Sequence, residues 1–481
     1  MIKFIDSILS KFKGCFSRTA SYRWFVIVVA GFFMRTEFLG VTSFMRCFSL
    51  APKAYDSLIK FFRSDAYSSD SLRKKWYGTV KEKAPLYQMN GKNLLAGDGT
   101  KHPKEGAHMP GVKKLVQESE NSSKPQYIFG HMYGGVAAVT HTQKDFFAVP
   151  LKMDIQDGLS DTASWDEGYA YRSLSHVVQM IGNGYEAAEQ MGASYLVLDR
   201  YFLSVPALQS LDGLNQKEHL LDIITRAKNS CVAYKPASSP PEGCRRRGRP
   251  RKKGDAVKLI TLFETNESDF EHGNAEMYGI REPVDYLCLD LLWGAKLYKK
   301  LRFVLVKSSR GKCILASSDL ELDPISIIEA YALRFKIECT FREFKQQMGG
   351  FCYHFWSKAV PRLKRYRKAG EPSELSQVED QKEKKAVSDT IEAVERFVLF
   401  ACISMGIVQL MAQNPVIADK AKKSRYLRTY SECHVSEATI IEYMHKHFFR
   451  LLLSSPKSEL TQLIKFTQER YSEDENLDIA G

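Results

Sequence analysis

Tyr331-Ala-Leu-Arg334-Phe-Lys-Ile-Glu338-Cys-Thr-Phe-Arg-Glu-Phe-Lys345 reads as the middle of one amphipathic helix. At roughly 100° per residue, Tyr331, Arg334, Glu338 and Lys345 fall at about 0°, −60°, −20° and −40° around the axis, an arc of about 60°. One phenol, two cations and one carboxylate are thus offered to the same place. That set suits a metal ion held against a phosphodiester. Asp323-Pro324 supplies an N-cap and a first-turn proline, and Gly349-Gly350 supplies the stop. Ala330, Leu333, Ile337, Phe341 and Phe344 form an adjoining apolar face, so the helix can pack on a sheet while the stripe lines its rim. A charged stripe can equally be a solvated face, and the rest of the chain decides between the two readings.

The chain has 481 residues, enough for two or more domains. At 44% hydrophobic and 26% charged it is globular rather than disordered. Its net charge of +13 is consistent with a polyanionic partner. Ten cysteines are scattered without any CxxC pair, which supports neither a zinc site nor a redox motif and fits a reducing cytoplasm. The apolar run Trp24–Met34 is about 11 residues long, whereas a membrane span needs about 20. It reads as a buried helix, and no membrane partner is expected.

Five segments follow from the patterning. Residues 1–90 carry short apolar-periodic segments with basic residues between them, as a helix-turn-helix DNA module or any basic helical bundle would. Residues 91–235 open an α/β core. Asn93–Ala96, Tyr127–Thr140 and Phe146–Leu151 read as strands, a helix is expected over about Glu167–Met191, and Tyr195–Leu198 forms a short buried strand. Asp98 and Asp199 stand at the ends of two of these strands, where sheets of this class bind ligands. Each could singly be a turn or cap aspartate. Residues 236–300 hold a basic loop and a β-rich insertion, 301–360 return to the core with the signature helix, and 361–481 form a charged linker and a helical C-terminal region. Trp293 lies in the insertion, where a core or interface aromatic is the simpler reading.

The basic loop contains Arg245-Arg246-Arg247-Gly248-Arg249-Pro250-Arg251-Lys252-Lys253. Its Gly-Arg-Pro core resembles an AT-hook, whose extended arginines suit the narrow minor groove. More simply, it is a cationic loop that contacts phosphates without sequence preference. Either way Arg247, Arg249 and Arg251 are candidate DNA contacts.

Three carboxylates from separate chain regions can hold two divalent cations about 4 Å apart, one for the attacking and one for the leaving oxygen of a phosphodiester. Arg334 and Lys345 flank Glu338, and Arg can grip phosphate oxygens bidentately while Lys acts as a point charge. Tyr331 can donate to a phosphate or stack on a base. Lys101, His102 and Lys104 follow Asp98 and can line the same cleft.

The spacing Tyr331-x2-Arg334-x3-Glu338-x6-Lys345 resembles the Y-R-E-K signature of bacterial insertion-sequence DDE transposases. Gly97-Asp98-Gly99-Thr100 and Leu198-Asp199-Arg200 are similar to that group's first and second aspartate motifs. The likeness spans roughly residues 91–356. It implies an RNase H-like mixed sheet with flanking helices, a β-rich insertion, and helical N- and C-terminal regions. It further implies Asp98, Asp199 and Glu338 as catalytic ligands of two Mg2+ ions, with Mn2+ able to substitute. Tyr331, Arg334 and Lys345 would contact DNA. The expected activity is Mg-dependent cleavage of double-stranded DNA at element ends and strand transfer into target DNA. It would be carried out by a homodimer in the bacterial cytoplasm, nucleoid-associated when bound. The alternatives are a transposase-derived DNA-binding protein that no longer cuts, and an RNase H-like nuclease.

Overall fold

The computed structural model describes residues 1–117, 125–142, 145–237, 251–364, 371–425 and 435–472. The chain is mixed α/β. It divides into two compact units, one of Leu86–Asp98 and Val177–Glu338, the other of Met1–Pro85, Gly99–His176 and Cys339–Gly481.

The first unit is built on a mixed sheet. The strand Lys92–Pro103 begins here and runs parallel to Ser194–Leu198, which runs parallel to Leu221–Arg226. Gly311–Ser317, Lys299–Ser308 and Ile280–Trp293 follow in antiparallel order. Ser194–Leu198 is buried throughout, and so is Leu221–Arg226 up to its last residue, the pattern of strands covered on both faces. Helix Val205–Asn215 makes the crossover between these two strands. The Ser204 side chain caps it, and a proline sits in its first turn. Helix His176–Met191 presses so close to the sheet that a Cβ on Gly184 would lie 2.5 Å from Leu196 Cδ2.

Three elements here differ from the sequence reading. Glu167–Met191 is a 3-10 stretch, Glu167–Ser173, followed by the helix His176–Met191. The insertion expected to be β-rich opens with only the short strand Ala256–Lys258, with helical turns after it. Glu271–Met277, too polar to stand out as a strand, is held in a hairpin with Ile280–Trp293. The hairpin's two-residue turn, Tyr278-Gly279, has φ of +56° and +80°, the I′ geometry that matches strand twist.

The signature segment is two helices, Pro324–Leu333 and Phe335–Gln346, parted at Arg334. The Arg334 N–H donates to Tyr331 O and the Ile337 N–H to Arg334 O, both at 3.1 Å. These are i→i+3 bonds, so the helix tightens for one turn without any proline or glycine. Asp323 caps the start through the Ser326 N–H at 3.0 Å, as the sequence indicates. Helix Pro324–Leu333 packs across Ser194–Leu198, Leu221–Arg226, Lys299–Ser308 and Gly311–Ser317.

The second unit centres on helix Gln381–Ala412, whose residues are buried almost all round from Phe397 onward. Its first turns had read as linker because they are charged; Asp380 caps them through the Lys382 and Glu383 N–H groups. Around it pack Thr19–Phe32, Ser69–Lys83, Glu437–Leu453 and the strand Phe146–Ile155. A Cβ on Gly406 would sit 2.2 Å from Trp76 Cζ2. That ring is pinned by its Nε1, which donates to Pro150 O at 2.8 Å. Arg35, 1% exposed, donates to Met348 O at 2.6 Å and Gly349 O at 2.9 Å, satisfying carbonyls beyond the end of helix Phe335–Gln346. Among the described residues no helix is long and apolar enough to cross a membrane.

Candidate active site

Strand register assembles the site in the first unit. Asn93, Leu94, Leu95 and Ala96 pair with Ser194, Tyr195, Leu196 and Val197, and Ser194 to Leu198 pair with Leu221 to Thr225. Carried two steps further in the same register, Asp98 falls opposite Asp199, and one step further in the next ladder Asp199 falls opposite Arg226. Asp199 keeps an extended backbone, φ −71° and ψ 166°, so the register holds to its position. With neighbouring strands about 4.8 Å apart, the three residues form a row about 10 Å long across parallel strands.

The face of this row follows from alternation. A Cβ on Gly97 would meet Leu198 Cδ2 at 2.7 Å and Met180 Sδ at 3.1 Å, so Gly97 faces helix His176–Met191 and has no room for a side chain. Asp98, one residue on, faces the opposite side. There Arg334 reaches it, Nη1 to Asp98 Oδ2 at 2.9 Å, while Arg334 Nη2 holds Glu338 Oε1 at 2.6 Å. One guanidinium therefore joins two acids that are 240 residues apart in the chain. Arg334 is half-buried, and desolvation disfavours its charge, but Asp98, Tyr331 and Glu338 outweigh that and raise its pKa. Asp98 is not a strand-end residue. It lies inside Lys92–Pro103, just past the last residue paired with Ser194–Leu198.

Asp199 directly follows the strand Ser194–Leu198. Its carboxylate accepts from the Arg200 N–H at 2.7 Å, the capping role that the sequence also allowed, and its carbonyl accepts from Thr225 Oγ1 at 2.9 Å. Tyr331 lies within electrostatic reach of Asp199, Arg334 and Arg226. Burial, reinforced by Asp199 against the two arginines, pushes its phenol up to about 12. Arg226 had no sequence motif. Its strand, Leu221–Arg226, carries the β-branched run Ile223-Ile224-Thr225, which was the available signal.

Lys345 belongs to the second unit, where its Nζ donates to Thr100 Oγ1 at 2.7 Å and Lys101 O at 3.1 Å. The other basic residues after Asp98 are braces. Lys101 donates to Val116 O at 2.6 Å. Lys104 is buried, donates to Phe351 O and Tyr353 O, and is pushed down to about 7 by burial. Burial, with Lys104 and Lys345 nearby, pushes His102 down to about 3. Arg247 and Arg249 lie outside the described residues; Arg251 is exposed. Trp293 is half-buried, with its side chain in hydrogen-bond reach of the Cys231 thiol. None of the described cysteines is joined in a disulfide.

Asp98, Asp199 and Glu338 each offer carboxylate oxygens, and hard oxygens of this kind suit a divalent cation such as Mg2+. Among the described residues no three acidic, histidine or cysteine side chains stand close enough to grip an ion as they are. Arg334 instead supplies the counter-charge to two of the three acids. The donor chemistry therefore fits a divalent ion, with the guanidinium as the group that must yield.

No curated protein matches the chain. A family model described as DDE superfamily endonuclease matches residues 11–269, just over half of the chain. The matched stretch takes in Asp98, Asp199 and Arg226 and ends before the Arg334–Glu338 segment, which the fold brings to the same sheet face. On the strength of that match, the chain belongs to the DDE superfamily endonucleases.

Proposed function

We propose that the protein is a transposase with an RNase H-like core that cuts DNA at element ends and joins the freed end to target DNA. The observation that carries this reading is the Arg334 bridge between Asp98 and Glu338, with Asp199 directly after the strand Ser194–Leu198 that pairs with the strand of Asp98. In hydrolysis, water oxygen bonds to phosphorus as the P–O3′ bond breaks, leaving a 3′-hydroxyl and a 5′-phosphate. In joining, that 3′-oxygen bonds to a target phosphorus as the target's P–O3′ bond breaks, so the number of phosphodiesters is unchanged. Asp98, Asp199 and Glu338 would hold two divalent ions, Mg2+ with Mn2+ as a substitute, which when bound polarise the attacking and leaving oxygens.

The chain's own groups set the rest. Arg334 presents a planar fork suited to two phosphate oxygens once it releases its acids. Tyr331, with its phenol held up near 12, is protonated at neutral pH. It therefore donates a hydrogen bond rather than acting as a phenolate nucleophile. Lys345, steadied by Thr100, adds a point charge. Arg247, Arg249 and Arg251 would contact the DNA backbone, and the basic helices of residues 1–90 would bind the element ends. Residues 91–235 and 301–360 would then be the two parts of the core, with 236–300 as its insertion and 361–481 as linker and C-terminal helices. A homodimer would pair the two ends, in the cytoplasm and on the nucleoid.

The test uses the full chain with the DNA that flanks its own gene, Mg2+ and a target plasmid. Cleavage leaving 3′-hydroxyls, followed by joined products, is expected, with both lost in Asp98→Asn, Asp199→Asn and Glu338→Gln. Cleavage surviving Asp199→Ala would remove that residue from the triad. Cutting without joining would favour a nuclease, and binding without cutting would favour a protein that has lost catalysis.

A further inference from the structure

We propose that the carboxyl ends of strands Ser194–Leu198 and Leu221–Arg226 form a track for one strand of DNA, in which Arg226, Arg200 and Lys228 hold phosphates and Tyr201 stacks on a base. The track rests on the reading that the protein acts on DNA, and it adds four residues to it.

Register supplies the first argument. Arg226 is the third member of the row begun by Asp98 and Asp199, so its side chain stands at the level of the acids on parallel strands. Charge supplies the second. Arg334 is held by two carboxylates, whereas the Arg226 guanidinium has no carboxylate partner among the described residues. Arg200 and Lys228, both exposed, likewise have none there. Three cations without a carboxylate partner among the described residues make a surface that a phosphodiester chain completes.

Tyr201 supplies the third argument. Its ring is 44% exposed, two residues beyond Asp199, and the Arg200 guanidinium and Lys228 ammonium each lie 5.8 Å from its centroid. A part-exposed aromatic ring with two cations close to it is an arrangement that holds single strands without reading their sequence, the ring taking a base and the cations its flanking phosphates. A duplex keeps its bases stacked on one another, so the surface favours a separated strand.

The experiment measures binding of the full chain to a fluorescein-labelled oligothymidine about 12 nucleotides long, by anisotropy over a salt series. Cutting of duplex DNA is scored in parallel. Tyr201→Ala is expected to weaken oligothymidine binding about ten-fold, and Tyr201→Phe to restore it. Arg226→Gln and Lys228→Gln should each flatten the log–log salt slope by about 0.7. Thermal unfolding confirms that each variant is folded, and Arg226→Lys, which keeps the charge, should keep the wild-type slope. If all variants bind and cut like the wild type, the track is wrong and the transposase reading stands. If the wild type shows these dependences but never cuts, the track stands and the transposase reading falls.

Discussion

Replacing Arg334 by glutamine tests whether its guanidinium is what holds the acids together. Arg334 makes two charge-assisted hydrogen bonds, 2.9 Å to Asp98 and 2.6 Å to Glu338. A hydrogen bond to a charged group is worth about 1.5–3 kcal/mol. The Glu338 side chain is 41% exposed, so water screens its share to below about 1 kcal/mol, while Asp98, at 20%, keeps more of its value. The expected loss in metal-free protein at neutral pH is about 2 kcal/mol, a fall in melting temperature of roughly 5 °C for a unit of this size. Added divalent cation should then act unequally on the two proteins. In the wild type an ion must displace the guanidinium. In Arg334→Gln it meets acids with no counter-charge, and ligand binding to the folded state raises stability by mass action. A melting series over Mg2+ or Mn2+ should therefore show a larger upward shift for Arg334→Gln than for wild type, with the excess gone in Arg334→Gln/Asp98→Asn. The reasoning is refuted if Arg334→Gln melts with the wild type and gains no more from Mn2+ than the wild type does.

Tyr331→Phe should slow cutting about ten-fold through loss of one donor, with no change in the shape of the rate profile between about pH 6 and 9, since the phenol does not titrate there. A profile that gains or loses a limb in that range would show the phenol doing proton transfer. His102 and His131 are both pushed down to about 3 by burial, with neighbouring Lys104 adding to it. The folded protein therefore binds fewer protons than the unfolded chain from about pH 6.5 down to 3, and the stability that these groups confer above pH 6.5 is lost as pH falls through that window. Urea melts at a series of acid pH values should show this decline, and it should be shallower in His131→Gln. Gly406→Ala drives a methyl into Trp76 and should cost about 1–3 kcal/mol, read as a lowered melting temperature with normal DNA binding to any folded protein.

The sequence carried the helix more clearly than the sheet. Tyr331, Arg334 and Glu338 were legible together because helical periodicity places near neighbours on one face, a relation contained in the local sequence. Asp98 and Asp199 were visible singly, each after an apolar run, but their juxtaposition depends on a pairing register between distant segments. The strand through Asp98 continues to Pro103 although Gly-Thr-Lys-His-Pro has turn composition, and next to its end the Lys104 N–H bonds to Phe129 O at 2.9 Å. Arg226 was invisible for the same reason, since a lone arginine at a strand end means nothing until its neighbours across the ladder are known. The tightening at Arg334 was hidden as well, because no helix-breaking residue announces it. The charged start of Gln381–Ala412 misled in the opposite direction. Its opening turns look like linker, while the length of the helix is decided by the buried residues further along.

The shared register of the three parallel strands has a bearing on how such a chain can vary. Adding or deleting one residue within Asn93–Ala96 or Ser194–Leu198 would turn an aspartate to the wrong side of the sheet, because side chains alternate with a period of two. Segments that join the strands face no such rule. The basic loop that precedes Ala256–Lys258 can lengthen, shorten or acquire new modules while the row of Asp98, Asp199 and Arg226 stays in step. Divergence among kindred proteins should accordingly gather in the connections, and a foreign domain spliced there has the best prospect of leaving the acids aligned.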